Sequence, residues 1–166
     1  MRVLSIDLST KQVGFALLED AHLKDARTIK SICDDNIYQI GNQTAIIHAY
    51  FNIKRIFEEW KCDVMIIEWA MIKTTPKYVA FCQAIMSSLG MKYPQKVTPI
   101  NEAKWLAEAN KTFSIKRNQF QGGRKGNKEW ISALAKHYEP NFKFNSQDEK
   151  DAFVMGLTYL MNERKF

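Results

Sequence analysis

The sequence predicts an α/β protein whose central mixed sheet is flanked by helices. Residues 2–8 alternate in polarity, and residues 13–18 form a second apolar segment after a short turn. These two segments are typical of adjacent antiparallel strands. Farther along, segments with helical spacing alternate with short apolar segments, as in parallel strands joined by helices. A chain of 166 residues is long enough for one substantial core, so we expect a single domain spanning 1–166.

The first half of the chain is predicted to add a third strand within 27–33, a loop at 34–36 and a helix over 43–60. In that helix apolar residues recur at steps of three and four, which gives it one apolar face. Residues 64–67 are all apolar, as expected of a parallel strand that is covered on both faces. The helix between strands three and four is then the crossover that a parallel pair requires.

The second half continues the alternation of helices and strands. Thr75 followed by Pro76 predicts a helix start, with Thr75 as the N-cap, and Gly90 is predicted to end that helix. A fifth strand is predicted over 95–98. Asn101 is a candidate N-cap for a short helix that follows it.

Two further segments complete the predicted fold. Residues 112–126 contain three glycines and indicate a mobile loop, after which Asn127 could cap a helix. The last helix is predicted from Ser146 to about Asn162. Ser146 and Glu149 fit a capping box in which the Glu149 carboxylate reaches back to the Ser146 backbone.

Composition limits the class of protein. The hydrophobic fraction is 46% and the charged fraction 25%, as in ordinary soluble proteins, and no apolar run approaches the roughly 20 residues of a membrane span. The N-terminus lacks a signal-peptide pattern, so we expect a cytoplasmic protein, in the cytoplasm of its own cell or in that of an infected host cell. Cys33, Cys62 and Cys82 match no zinc or redox spacing, and no disulfide is expected.

Four carboxylates lie at the ends of predicted strands or at the start of the last predicted helix. Asp7 and Glu68 close apolar strands, and Asp148 and Asp151 open the last helix. Asp7 alone could bond a turn backbone, and Asp148 alone could face the positive end of the helix dipole. Asp151, however, lies at the edge of the face that carries Ala152 and Gly156, two small residues that would let the helix approach the sheet closely.

Carboxylates that converge at one edge of a core repel one another unless cations bridge them. Hard divalent ions such as Mg²⁺ prefer oxygen ligands. Two such ions ~3.5–4 Å apart can activate a water and stabilise the leaving oxygen in phosphodiester cleavage. The pattern therefore predicts a two-metal site of Asp7, Glu68, Asp148 and Asp151, in which Asp7 would bridge both ions.

The same residues resemble a known family. The segments Ile6-Asp7-Leu8-Ser9-Thr10, Gly14-Phe15-Ala16, Ile66-Ile67-Glu68 and Asp148-x-x-Asp151-Ala152, in this order and spacing, are similar to those of the RuvC-type Holliday junction resolvases. These belong to the RNase H-like (retroviral integrase) superfamily. The short chain and its divergent middle look more like a phage member.

The resemblance implies a homodimeric endonuclease, dependent on Mg²⁺ or Mn²⁺, that nicks branched DNA such as four-way junctions and possibly forks. The four acids take the positions of the family's metal ligands. Lys128 matches the lysine near the scissile phosphate, with Lys125 as a neighbour. Met71 stands where the family often has a wedging phenylalanine, and Trp69 is the nearby aromatic residue, so both are candidate DNA contacts.

A basic segment supports a nucleic-acid partner. The net charge is +6, and residues 109–128 contain no acid but include six cations. Lys116, Arg117, Arg124 and Lys125 are the candidate phosphate contacts, which would give affinity and salt dependence without sequence readout. The alternative is a solvated loop.

Two other functions remain open at this point. An RNase H-like ribonuclease would keep the fold and the metal site but cleave structured RNA or hybrids. A non-catalytic protein could bind branched DNA with acids that are only structural.

Overall fold

The computed structural model describes residues 1–9, 11–30, 41–69 and 76–162. Within these ranges, five strands form one sheet: β1 (Arg2–Leu8), β2 (Gln12–Glu19), β3 (His22–Lys30), β4 (Val64–Trp69) and β5 (Val97–Asn101). The helices are α1 (Gly41–Glu59), α2 (Pro76–Lys92), α3 (Glu102–Thr112), α4 (Gly123–Tyr138) and α5 (Gln147–Met161), with a short 3₁₀ helix at Arg117–Gln119. The predicted α/β class is confirmed.

The strand order is β3-β2-β1-β4-β5, with antiparallel pairing on the β3 side of β1 and parallel pairing on the β4 side. The mixed sheet is therefore confirmed. The crossover helix α1 does follow β3, but β4 pairs with β1, so the expected parallel pair of strands three and four is wrong. The physical reason is burial: β4 is apolar on both faces and lies centrally, whereas the polar β3 suits an edge.

Helices cover both faces of the sheet. One core lies between the sheet and helices α1 and α2, and it takes Leu4, Ile6 and Leu8 from β1. The other lies between the sheet and helices α3, α4 and α5. Because side chains alternate along a strand, Asp7 faces the side of α3, α4 and α5. Within the described ranges, no helix is long and apolar enough to cross a membrane.

Several element boundaries differ from the predictions. Strand β3 begins at His22, earlier than predicted, because it forms a hairpin directly after β2. Helix α2 continues past Gly90 to Lys92; a Cβ at Gly90 would meet nothing within 4 Å, and its φ is not positive. Strand β5 lies two to three residues later than predicted.

The loop predicted over 112–126 is shorter in the structure, and its mobility stays a prediction. Part of it is the 3₁₀ helix, and α4 begins at Gly123, four residues before the predicted cap at Asn127. Gly126 permits this, because a Cβ there would lie 1.4 Å from the backbone oxygen of Gln121. The Arg117 amide donates to Asn110 Oδ1 at 2.8 Å, which ties the segment to the end of α3.

The predicted features at Cys33, residues 34–36, Met71 and Thr75 lie outside the described residues. The side chains of Cys62 and Cys82 are both buried.

Candidate active site

The two strand-end acids are brought together by strand register. Parallel pairing of β1 and β4 continues to Ile6 opposite Ile67, so Asp7 and Glu68 each follow one residue later on neighbouring strands. Both side chains project from the face that packs against α5, since Ile6 and Ile67 belong to the opposite core. The carboxyl ends of these parallel strands thus place two acids side by side.

Helix α5 supplies the other two acids. Ser146 caps it by accepting a hydrogen bond from the Glu149 amide, as predicted, so Asp148 and Asp151 lie in its first two turns. The helix approaches the sheet very closely at Gly156, where a Cβ would lie 2.5 Å from Leu18 Cδ1. The close approach predicted from Gly156 is therefore confirmed.

Glu149 has a structural role, but its partner differs from the predicted capping box. Its Oε2 accepts from the Asn145 amide at 2.7 Å instead of the Ser146 amide. Its Oε1 accepts from Thr28 Oγ1 at 3.0 Å. A fully buried carboxylate needs more than one donor, and the contact with β3 supplies the second one that local sequence cannot reveal.

Three of the acids converge closely. One carboxylate oxygen from each of Asp7, Asp148 and Asp151 lies within 4.8 Å of the others. Glu68 lines the same cleft, which has a volume of about 930 Å³. The structure therefore brings all four predicted acids to one cavity, with Glu68 outside the tightest group.

The pKa values of three of the acids are raised, first by burial and then by the negative charges of neighbouring carboxylates. Burial raises the pKa of Asp7 well above its ordinary value, and the charges of Glu68, Asp151 and Asp148 raise it further. Burial likewise raises the pKa of Glu68 to about 7 and that of Asp151 to about 6. Crowded carboxylates with raised pKa values indicate a place where positive charge is lacking.

Neutral groups donate to three of these acids. The Trp105 indole Nε1 donates to Glu68 Oε2 at 3.0 Å, the Gln147 amide donates to Asp151 Oδ1 at 2.9 Å, and the Gln12 amide donates to Asp148 Oδ2. Among the residues that the structure describes, no lysine or arginine nitrogen lies within 4.0 Å of the four carboxylates.

The donor set fits divalent metal ions. Carboxylate oxygens within 4.8 Å of one another, held by neutral partners and not neutralised by a side-chain cation, are suited to hard ions such as Mg²⁺ or Mn²⁺. Asp7, Asp148 and Asp151 would hold such ions, and Glu68 extends the set along the cleft.

Helix α4 gives the cleft a basic wall. Lys128 and Arg124 both line it, and both side chains are exposed. The Lys128 charge acts on Asp151, lowering its pKa against the stronger effect of burial. Lys125, one position beyond Arg124, is not among the lining residues, and its Nζ lies 4.0 Å from Glu129 Oε1.

The other predicted DNA contacts lie outside the cleft. Lys116 Nζ donates to the backbone oxygens of Asn110 and Lys111, so it caps the end of α3. Arg117 Nε donates to Asn127 Oδ1 at 2.6 Å. Trp69 pairs with Asn101 across the sheet, and alternation along β4 puts it on the opposite face from Glu68. Met71 lies outside the described residues.

Sequence reasoning missed a fifth acid of the cleft, Glu102. It is the first residue of α3, directly after the end of β5, and its charge raises the pKa values of Asp7, Glu68 and Asp151. The rule that found Asp7 and Glu68, an acid at a strand end, could have found it. Gln12 and Trp105 were also missed as partners of the acids, and no sequence pattern marks them.

Comparisons with known proteins place the fold. No protein-family model matches the chain, and no curated protein matches it in sequence. Among solved structures, RuvC from T. thermophilus bound to a Holliday junction substrate superposes with a TM-score of 0.71 at 10% identity, covering 99% of this chain and 95% of that one.

Two other resolvases are similar in structure. The Fowlpox virus resolvase, solved with Holliday junction DNA, gives a TM-score of 0.59 at 15% identity and covers 99% of this chain and all of that one. The yeast mitochondrial Holliday junction resolvase Ydc2 gives 0.58 at 15% identity, covering 96% and 77%. The predicted RNase H-like fold is confirmed, and at these identities the likeness shows the fold alone.

Proposed function

We propose that this protein is a structure-selective DNA endonuclease that nicks Holliday junctions or other branched DNA by metal-dependent phosphodiester hydrolysis. The observation that carries the proposal is the convergence of Asp7, Asp148 and Asp151 within 4.8 Å, with Glu68 in the same cleft. The similarity to three resolvases over nearly the whole chain supports the choice of substrate.

The acids would hold one or two Mg²⁺ or Mn²⁺ ions. When bound, such ions supply a water of lowered pKa and positive charge at the leaving oxygen. Asp7, whose pKa is raised by burial and then by the charges of Glu68, Asp151 and Asp148, is the candidate ligand that two ions would share. We expect cleavage to leave a 5′-phosphate and a 3′-hydroxyl.

The basic wall would position the DNA strand. The Lys128 ammonium, on the cleft side of α4, would stabilise negative charge near the scissile phosphate. Arg124 would hold a neighbouring phosphate, and Lys125, Lys116 and Arg117 would extend the contact along the outside of α4 and the preceding segment. Trp69, the last residue of β4, and Met71 are the candidates for contacts with unpaired bases.

The symmetry of a four-way junction suggests the oligomeric state of the active protein. A four-way junction has two symmetric strands to cut, and a two-fold homodimer would place one cleft at each. We therefore propose a homodimer as the active form, to be checked by light scattering with and without junction DNA.

The test is a nuclease assay on synthetic four-way junctions, forks, linear duplex and RNA–DNA hybrids, each with Mg²⁺, Mn²⁺ or EDTA. We expect junctions to be cut fastest, cleavage to require the metal, and Asp7→Asn to abolish cleavage while junction binding persists. Asp20→Asn is the matched control, because Asp20 is exposed at the opposite end of the sheet.

The outcomes separate the alternatives. Preferential cutting of hybrids or structured RNA would replace the proposal with a ribonuclease. Junction binding with no cleavage under any metal would support the non-catalytic binding protein. Cleavage that Asp7→Asn leaves unchanged would reject the site itself.

A further inference from the structure

Helix α3 places a buried indole against the acid cluster. Trp105 is 2% exposed, and its Nε1 donates to Glu68 Oε2 at 3.0 Å. The start of α3 is fixed relative to Glu68, because Asn101 caps the helix through the Lys104 amide and also pairs with Trp69, the next residue of β4. The indole is thus held by the same strand ends that present the acid.

An indole N–H is a better partner for a metal-binding carboxylate than a cationic side chain is. A lysine or arginine at this place would neutralise Glu68, whereas an indole N–H orients one oxygen and leaves the negative charge in place. Gln12 and Gln147 contact Asp148 and Asp151 in the same way, with neutral amide donors. Three acids of the cleft therefore each have one oxygen held by a neutral partner.

We propose that Trp105 is a positioning residue for Glu68, whose indole N–H holds Oε2 and so orients the carboxylate for the divalent ion. This inference rests on the proposed metal-dependent nuclease. Hydrogen bonds to the groups that ligate a metal typically change metal affinity by 10- to 100-fold when removed.

Trp130 lies in the same core and serves as the structural comparison for Trp105. It is fully buried, and its Nε1 donates to the backbone oxygen of Ile115 at 2.8 Å. Both tryptophans pack in the core that lies between the sheet and helices α3 to α5. They differ in the acceptor, which is a carboxylate of the cleft for Trp105 and a main-chain carbonyl for Trp130.

This pair gives a matched experiment on the full chain. Trp105→Phe and Trp130→Phe each keep a large ring and remove one N–H donor. Mn²⁺ and Mg²⁺ binding is measured by titration calorimetry, and the metal concentration for half-maximal junction cleavage is measured alongside. We expect Trp105→Phe to weaken metal binding about 10-fold or more, with the rate recovering at high metal, and Trp130→Phe to bind metal as the unmodified protein does.

A measurement on the unmodified protein covers the case in which a variant fails to fold. In ¹⁵N-indole NMR spectra, the Trp105 N–H resonance should shift on metal addition, while the Trp130 resonance stays in place. The resonances of Trp60 and Trp69 are assigned by Phe substitution at those two positions.

The possible results decide between the two proposals. Equal metal affinity of Trp105→Phe and the unmodified protein, or equal weakening in both variants, would overturn the role of Trp105 and leave the nuclease standing. If the protein binds metal but the Trp105 N–H resonance does not shift, the role of Trp105 is likewise overturned. An unmodified protein that neither binds metal nor cleaves junctions would instead reject the proposed function.

Discussion

Gly14 and Asp148 lie in direct contact across the interface between β2 and α5. A Cβ placed on Gly14 would be 2.3 Å from the Asp148 backbone oxygen and 2.7 Å from its Cβ, far inside contact distance. The first turn of α5 therefore rests on a strand position that has no room for a side chain. Gly14 is also the residue paired with Asp7 in the β1–β2 ladder. The position of Asp148 relative to Asp7 therefore depends on the lack of a side chain at residue 14.

Gly14→Ala should displace the start of α5 and spread the acids. We expect lower metal affinity, cleavage reduced by at least about 10-fold, and a loss of stability of about 1–3 kcal/mol from overpacking. Calorimetric metal titration and thermal unfolding measure both effects. Gly90→Ala is the control, since its Cβ would meet nothing and alanine favours a helix interior by about 0.5–1 kcal/mol; an equally harmful Gly90→Ala would contradict this account.

The raised carboxyl pKa values predict how metal-free stability depends on pH. Glu68 has a pKa of about 7 in the folded protein against an ordinary 4.5. The folded state therefore binds more protons than the unfolded state between these values. The stability contributed by this carboxyl is complete below about pH 4.5 and is lost as pH rises through about 7.

We expect the Tm in EDTA to fall from pH 5 to 8, and Glu68→Gln to flatten part of that decline. Metal affinity should rise over the same range, because the ions bind the deprotonated carboxylates. Thermal unfolding at fixed ionic strength, with and without Mg²⁺, checks both trends. A Tm difference between Glu68→Gln and the unmodified protein that does not change with pH would show that Glu68 titrates normally.

Lys128→Gln should slow the chemical step. The residue lines the cleft and acts electrostatically on Asp151, and loss of a group that stabilises transition-state charge costs about 10²–10³-fold in rate. Single-turnover cleavage at saturating metal and DNA would show the loss while junction affinity changes little. Lys136→Gln, an exposed residue in the last turn of the same helix, should keep the full rate.

Arg124→Ala and Lys125→Ala should weaken DNA binding through phosphate contacts. Each lost contact should reduce the slope of log K against log salt by about 0.9. Fluorescence anisotropy with a labelled junction at several salt concentrations measures this slope. Lys92→Ala is the control, because Lys92 is exposed at the end of α2, four residues before Lys96, whose backbone oxygen accepts from Met65 near the start of β4, away from the cleft. A slope that none of the substitutions alters would place the DNA elsewhere.

Part of the candidate site could be predicted from the sequence because it depends on local rules. Strand ends are marked by apolar segments, and an acid after such a segment identified Asp7 and Glu68 before any register was known. Ser146 was recognisable as a cap because its hydrogen bond is made within one turn. These features depend on neighbours in the chain.

The rest depends on contacts between distant segments. Trp105 meets Glu68 across 37 residues, and Gln12 meets Asp148 across 136, so neither pairing has a local pattern. The start of α4 was placed too late because glycine disfavours helices, whereas the contact of Gly126 with Gln121 overrides that preference. The pairing of β4 with β1 likewise follows from burial in the assembled sheet.

Because the acids are divided between β1 at the start of the chain and α5 near its end, the cluster is completed only late in synthesis. Asp7 is made early, but Asp148 and Asp151 follow about 140 residues later, on a helix that must pack against β1 and β2 to bring them into place. A nascent chain that has reached only α4 lacks two of the four acids, and it also lacks α5, the helix against which α4 mainly packs. In such a chain neither the acid cluster nor the basic wall beside it is yet in place.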